Sequence, residues 1–245
     1  MCIRDRYTGL LLGIFLLFFK YRHLLTHLKS HLLFQWTELK GFLVINRDIF
    51  IRTFCLTFAF GFFYSQSALG GEQALAINII LLQFLSWMSY GIDGFAFASE
   101  SLVGKYVGAK NQSALTKAIR LSFIWAMGLA AFYSLVYGLF GTFLISIFTN
   151  EPTLIAATQP YLFWMILFPL LSTPCYIWDG IFIGLTASRA MRDTMLLALI
   201  LYLSFYFLLR SSLDTHGLWL AFLLFMLARG VIQWWVFRSR RLGQL

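Results

Sequence analysis

Residues 83–120 read QFLSWMSYGIDGFAFASESLVGKYVGAKNQSALTKAIR, and the first half of this stretch is apolar enough to lie within a bilayer. One row of residues recurs in it at steps of three and four, namely Gln83, Ser86, Tyr90, Asp93, Phe97 and Glu100. This spacing places the row along one face of a helix. A charged side chain at membrane depth costs about 2.5–3.5 kcal/mol on insertion scales, so it should face a bundle interior or a watery cavity. The stretch therefore predicts a helix that lines a transport pathway.

The composition is typical of a protein embedded in a membrane. The 245 residues are 60% hydrophobic and only 12% charged, whereas soluble domains carry about 25% charged residues. The net charge of +9 does not indicate a nucleic-acid partner, because the basic residues lie between apolar segments and form no face with interleaved aromatic residues. We therefore expect the lipid bilayer to surround the chain.

Hydrophobic segments of spanning length follow one another along the chain. The six full segments are roughly residues 48–68, 73–100, 121–143, 154–184, 194–209 and 218–237. They predict an all-α polytopic membrane protein, a transmembrane bundle whose six-helix lobe covers residues 48–237. Residues 7–21 are apolar but shorter than the ~20 residues that a span needs, so we expect the end of a truncated span there. Residues 22–47 are interpreted as a cytoplasmic connector with an amphipathic helix, and residues 238–245 as a tail.

Basic residues indicate how the spans are oriented. Lysines and arginines collect in the connector, in the loops after the second and fourth spans, and at the C-terminus. The opposite loops contain Glu72, Glu151, Asp214 and a single basic residue, Arg210. The positive-inside rule therefore predicts that the connector and the C-terminus are cytoplasmic. Residues 1–6, MCIRDR, resemble translated sequencing-adapter sequence, so we leave them out of the fold prediction.

Asp179 is an acid within the fourth span, which also contains Pro169 and Pro174. Prolines are tolerated in spans and free backbone carbonyls that line a cavity. We interpret Asp179 as a protonatable or cation-binding group, and the alternative is an acid that is hydrogen-bonded for packing. Gly180 and Gly184 form a G-x-x-x-G pair, which we interpret as a helix-packing feature.

Asp93 and Glu100 are the acids of the polar helix face, and Gln83 and Tyr90 share that face. We predict that these four residues line a cavity for a cation or a substrate. A packing role stays open for both acids. Glu100 lies nearer the cytoplasmic end, where Lys105 is a candidate partner.

Arg52 and Arg229 are basic residues inside or near the ends of spans, and we predict that they pair with acids rather than contact a substrate. No metal site is expected. The three cysteines have no ligand spacing, and the histidines of the connector are interpreted as an interfacial face: His23, His27 and His31. No nucleophile elbow, H-E-x-x-H motif or phosphate-binding glycine loop is present, so we predict neither an enzyme nor a bound cofactor.

Two loop regions resemble the motifs of one family. Residues 101–111, SLVGKYVGAKN, followed by AIR at 118–120, resemble the cytoplasmic-loop motif of multidrug and toxic compound extrusion (MATE) transporters. Residues 179–194, DGIFIGLTASRAMRDT, resemble the second loop motif of that family. Three shorter segments resemble the DinF branch of the family: NRDIFIRT at 46–53, DGFA at 93–96 and HGLWL at 216–220.

The resemblance implies a transporter of twelve spans in two lobes, with a central cavity in which a small amphipathic or cationic substrate is bound. Inward flow of protons or sodium ions then drives outward export across the bacterial inner membrane. The chain would be the C-terminal lobe, and the missing N-terminal lobe of the same protein would be its partner. Asp179 falls where other branches place a cation-coupling acid. Residues 48–68 lack the mid-helix glutamate of some sodium-coupled members, which leaves the coupling ion open.

Two other functions stay open at this point. Similar two-lobe folds act as flippases of lipid-linked or amphipathic molecules. A non-transporting membrane scaffold is the alternative from a different class, and it predicts that neutral replacements of Asp93 and Asp179 are tolerated.

Overall fold

The computed structural model describes residues 3–20 and 36–239, and all of its regular elements are helices. The helices are α1 (Ile3–Lys20), α2 (Trp36–Leu69), α3 (Glu72–Gly108), α4 (Gln112–Phe148), α5 (Pro152–Thr158), α6 (Leu162–Gly184) and α7 (Ser188–Ser239). A 3-10 turn over Gln159–Tyr161 joins α5 to α6. The predicted all-α class is confirmed. The histidine face and most of the predicted connector lie outside the described residues.

The helices fall into two compact units, residues 1–46 and residues 47–245. The first contains α1 and the beginning of α2, and α1 exposes an apolar surface along most of its length. The second contains the rest of α2 and all of α3 to α7. Every predicted site residue belongs to the second unit.

Five described segments are long and apolar enough to cross a membrane: Glu72–Gly108, Gln112–Phe148, Pro152–Gly184, Ser188–Leu208 and Thr215–Ser239. They match the last five predicted spans. The first predicted span, residues 48–68, is helical as part of α2 but is not among the five. Charged residues, including Arg47, Asp48 and Arg52, interrupt the apolar character of α2.

The fifth and sixth predicted spans form the two halves of α7. Tyr202 in the first half and Phe225 in the second half have ring centroids 5.3 Å apart. A straight helix would separate these residues by about 35 Å. The two halves therefore lie side by side as antiparallel rods, as two separate spans require.

The helices extend beyond the apolar segments that predicted them. The second predicted span ends at residue 100, but α3 continues to Gly108, and α4 begins at Gln112 rather than at residue 121. Hydropathy marks only the part of a helix that suits the bilayer interior, whereas the backbone hydrogen bonds continue into the polar ends.

Both loops that resemble family motifs are tight turns of the same kind. After α3, the N–H of Asn111 donates to the carbonyl of Tyr106 and that of Lys110 to Val107. After α6, the N–H of Ala187 donates to Phe182 and that of Thr186 to Ile183 in the same pattern. This is the Schellman arrangement, whose central residue is left-handed. Lys110 and Thr186 occupy that position, with φ of 50° and 54°.

Glycine allows α3 and α6 to approach each other closely. A Cβ on Gly184 would lie 2.7 Å from the carbonyl oxygen of Glu100, and one on Gly180 would lie 2.6 Å from Oγ of Ser99. Both distances are shorter than real Cβ contacts, so a larger residue would force the helices apart. This packing fixes the position of Asp179, the neighbour of Gly180, against the second half of α3.

Candidate functional site

Asp179 on α6 is the centre of a buried polar cluster. Its Oδ2 accepts hydrogen bonds from Arg52 on α2 at 2.5 Å and from Arg229 on α7 at 2.6 Å. Its Oδ1 accepts one from Nε2 of Gln233 at 2.6 Å. Three different helices therefore meet at one carboxylate, and both oxygens of that carboxylate are occupied.

The α7 partners of Asp179 are among the most deeply buried polar residues described. Arg229 is 2% exposed and Gln233 is 1% exposed. They lie four residues apart, so they share one face of the helix, and Phe225 precedes them by another four. The guanidinium carbon of Arg229 lies 5.5 Å from the centre of the Phe225 ring. Because a buried guanidinium needs an anion beside it, the cluster requires Asp179 to be ionised.

Asp93 on α3 completes the charge balance of the cluster. Two guanidiniums and one carboxylate leave a net charge of +1, and Asp93 lies close enough to Asp179, Arg52 and Arg229 to interact electrostatically with all three. Its side chain is half-buried, and no described residue donates a hydrogen bond to its carboxylate. When Asp93 is ionised, the charges of the two arginines and the two aspartates cancel. No described residue needs to form a hydrogen bond with Asp93 for this balance.

The polar face predicted on α3 points away from the core of the unit. Gln83 is exposed, and so are Tyr90 at 77% and Phe97 at 65%. Asp93 and Glu100 are half-buried. The core side of the helix is instead formed by apolar residues such as Leu81, Phe84, Leu85, Met88 and Ile92. The polar face therefore lies outside the interior of this bundle, and its residues are accessible on the surface of the unit.

The sequence-predicted site residues fall into two groups. Asp179, Arg52 and Arg229 are joined by ion pairs. Asp93 lies beside them, and it also belongs to the exposed row with Glu100, Gln83 and Tyr90. Among the described residues no ion pair links Glu100 with Lys105, and no group of three or more histidine, cysteine or acidic residues could hold a metal ion.

Sequence reasoning missed a second ionic cluster in the first half of α2, around Asp48. Asp48 is fully buried, and its Oδ1 accepts a hydrogen bond from Nη1 of Arg192 on α7 at 2.7 Å. Arg47 approaches the same oxygen at 3.2 Å. Asp48 and Arg52 lie four residues apart on α2, so one face of this helix is tied to α7 and to α6. That i, i+4 spacing of opposite charges at the start of an apolar segment is the signal that was available.

Gln233 was also missed, although it lies one turn after Arg229 in an apolar helix.

A further polar region lies at the other end of α3, where a cavity of about 450 Å³ contains none of the predicted site residues. Tyr206 donates a hydrogen bond to Gln66 at 2.8 Å beside this cavity. Nothing in the sequence paired Gln66 with Tyr206, because the two residues lie 140 positions apart in different spans.

Comparison with known proteins gives consistent matches. The family model MatE matches residues 49–208. DNA damage-inducible protein F of Escherichia coli (strain K12) is 33% identical over 189 residues, covering 77% of this chain and 41% of that protein. The uncharacterized transporter YisQ of Bacillus subtilis (strain 168) is 25% identical over 180 residues, covering 71% of this chain and 39% of its own length. The chain thus spans less than half the length of these curated relatives.

The fold is similar to that of solved transporter structures. A crystal structure of a MATE protein in the bent conformation superposes with a TM-score of 0.71 at 17% sequence identity. It covers 78% of this chain and 43% of the solved chain. At this level of identity the similarity concerns the arrangement of the helices.

Proposed function

Because this chain belongs to the MatE family, we propose that it forms the C-terminal lobe of an antiporter that exports amphipathic, often cationic compounds across the bacterial inner membrane. The lobe is a multi-pass bundle, and an N-terminal lobe of the same protein completes the cavity. The coupling ion is a proton or a sodium ion. The observation that carries this proposal is the placement of Asp93, an acid without a hydrogen-bond partner among the described residues, beside a buried cluster of net charge +1.

Asp93 rather than Asp179 is the acid that exchanges its cation. Both oxygens of Asp179 are occupied by Arg52, Arg229 and Gln233. Releasing them would leave a buried guanidinium without an anion, which is strongly unfavourable. Asp93 has free lone pairs and lies on the exposed face, so a proton or a sodium ion reaches it without breaking any ion pair. Asp179 acts as the anchor that holds the two arginines in place.

The charge balance around Asp93 explains how the coupling ion and the substrate replace each other. When Asp93 is ionised, it and Glu100 make the exposed face of α3 attractive to a cationic amphiphile, and Tyr90 and Phe97 offer aromatic surfaces to its apolar part. When a coupling ion neutralises Asp93, the arginines outweigh the remaining carboxylate of Asp179. The local charge of +1 then repels a cationic substrate. The coupling ion and the substrate are therefore mutually exclusive, as antiport requires.

The test compares Asp93→Asn with Glu72→Gln in the full-length protein, produced in a drug-susceptible bacterial strain. Glu72 is an exposed acid in the first turn of the same helix, so its replacement removes an equal charge far from the cluster. We expect Asp93→Asn to abolish resistance to cationic dyes while membrane expression is unchanged, and Glu72→Gln to retain resistance. Full resistance of Asp93→Asn would exclude the proposed site and would favour the scaffold interpretation of this acid.

A further inference from the structure

A groove between α3 and α4 lies on a different side of α3 from the polar face. Its volume is about 440 Å³, in the range of small-ligand sites. The α3 wall contains Phe95, Ala98, Leu102 and Tyr106, and the α4 wall contains Ala114, Lys117, Ala118, Leu121, Ser122 and Trp125. Each set recurs at steps of three and four, so each follows one helix face. From Phe95 to Tyr106 the groove extends for roughly 16 Å.

The groove is amphipathic along its length. The part towards the middle of the helices is lined by Phe95, Leu102, Leu121 and Trp125, and the last three are open at the surface, with Trp125 exposed by 65%. The part towards the α3–α4 turn is lined by Tyr106 and Lys117. Because apolar side chains favour the hydrocarbon interior and basic ones the lipid headgroups, we expect the apolar part to face the acyl chains and the polar part to face the headgroups.

The polar end is strongly basic. Lys117 is exposed in the groove, and Nζ of Lys105 lies 5.9 Å from the centre of the Tyr106 ring. Lys110 and Arg120 are exposed in the same region. No acidic residue occurs between Glu100 and Glu151 in the sequence. Within the described part of the chain, none of the four cations has an ion-pair partner.

Ser122 is a second polar group that faces the groove. Its side chain is only 8% exposed, it lines the groove, and its hydroxyl makes no hydrogen bond to any described residue. It lies five residues after Lys117, or about 7.5 Å deeper along α4. Because Ser122 lines the groove and its hydroxyl has no partner among the described residues, an acceptor from outside the protein can reach it there.

We propose that this groove binds an anionic phospholipid from the bilayer. The acyl chain lies against Phe95, Leu102, Leu121 and Trp125, the phosphate is held by Lys117, and an ester oxygen accepts the hydrogen bond of Ser122. A lipid combines a long apolar part with an anionic head at the spacing that this groove offers. A cationic export substrate does not fit, because the four basic residues repel it. The site therefore differs in charge and position from the face that carries Asp93.

The test is native mass spectrometry of the purified full-length protein with phosphatidylglycerol and, as the zwitterionic comparison, phosphatidylcholine of the same acyl chains. We expect phosphatidylglycerol to bind more tightly, and Lys117→Gln to weaken its binding about fivefold, the effect of one lysine near an anionic surface. Arg238→Gln is the matched control, because Arg238 is an exposed cation at the end of α7, outside the groove. We expect it to bind phosphatidylglycerol as the wild type does.

Two further variants keep the proposal testable if Lys117→Gln is poorly folded. Ser122→Ala should weaken binding of both lipids, because both contain ester oxygens, and Trp125→Ala should do the same by shortening the apolar wall. An excess of inorganic phosphate should not displace the lipid, since it lacks an acyl chain. Equal binding of the two lipids, an equal loss in Arg238→Gln, or displacement by phosphate alone would overturn the proposal. Because the readout is lipid binding, its failure is distinguishable from a failure of the proposed antiport.

Discussion

Arg52 on α2 donates a hydrogen bond to Asp179 on α6, although the two residues are separated by 127 positions in the chain. Arg229 on α7 contacts the same carboxylate oxygen. A single acid therefore holds together the first, fourth and last helices of the predicted six-span lobe. Asp179 has a structural role, whereas Asp93 is proposed to exchange the coupling ion. Variants of the two acids are therefore expected to behave differently.

Asp179→Asn should destabilise the protein more than Arg52→Gln. Removing the carboxylate leaves Arg229 buried without an anion, which costs about 3–5 kcal/mol. Arg52→Gln retains the pair between Arg229 and Asp179, and its arginine is less buried, so we expect a loss of about 1–3 kcal/mol. Thermal unfolding in detergent measures both. A smaller loss for Asp179→Asn than for Arg52→Gln would show that Asp179 is not the anchor of the cluster.

Arg192 offers an internal comparison of buried and exposed ion pairs. It contacts Asp48 at 2.7 Å and Asp193 at 2.6 Å, but the Asp48 side chain is 0% exposed and that of Asp193 is 46% exposed. Double-mutant cycles for unfolding should therefore give a larger coupling free energy for Asp48 than for Asp193, for which at most about 1 kcal/mol is expected. Equal couplings would mean that the burial of Asp48 has no energetic consequence.

Thr186→Gly should stabilise the protein by about 1 kcal/mol. Thr186 has a φ of 54° in the turn after α6, and a β-branched residue is unfavourable in this left-handed region, whereas glycine adopts it freely. Ser188→Gly, at the first position of α7, serves as the control, because a helical backbone gains nothing from glycine. The melting temperatures of both variants are compared with that of the wild type. A gain in Ser188→Gly and none in Thr186→Gly would contradict the assigned turn.

Gly180→Ala should destabilise the contact between α3 and α6 by about 1–3 kcal/mol, because the added methyl group meets the backbone of Ala96 and Oγ of Ser99. Gly94→Ala is the matched control on α3, since a Cβ there would meet no atom within 4 Å. We expect the control to be neutral or up to about 1 kcal/mol more stable, owing to its higher helix propensity. Equal destabilisation by both substitutions would argue against close packing at Gly180.

Much of the architecture could be predicted because it depends on local patterns. Apolar runs of spanning length located the last five spans, and the row from Gln83 to Glu100 correctly identified a single helix face. Charge and hydropathy could not show that α2 is continuous from Trp36 to Leu69, because its charged residues suggest an interruption where the backbone has none.

The partners of each acid could not be predicted, because they depend on which helices pack together. Asp179 and Gln233 are 54 positions apart, and only the folding back of α7 brings them into contact. Asp48 marked the edge of a predicted span, and its complete burial follows from the approach of Arg192 from another helix. The outward direction of the Asp93 face likewise follows from the position of the core, which a periodic pattern does not specify.

The measurement that tests the exchange role of Asp93 most directly is the release of the coupling ion when substrate binds. A cationic dye is added to the full-length protein in weakly buffered detergent solution, with protons followed by a pH indicator and sodium by an ion-selective electrode. We expect the wild type and Glu72→Gln to release one of these ions and Asp93→Asn to release neither. Release from Asp93→Asn equal to that of the wild type would contradict the assignment of Asp93 as the acid at which ion and substrate exchange.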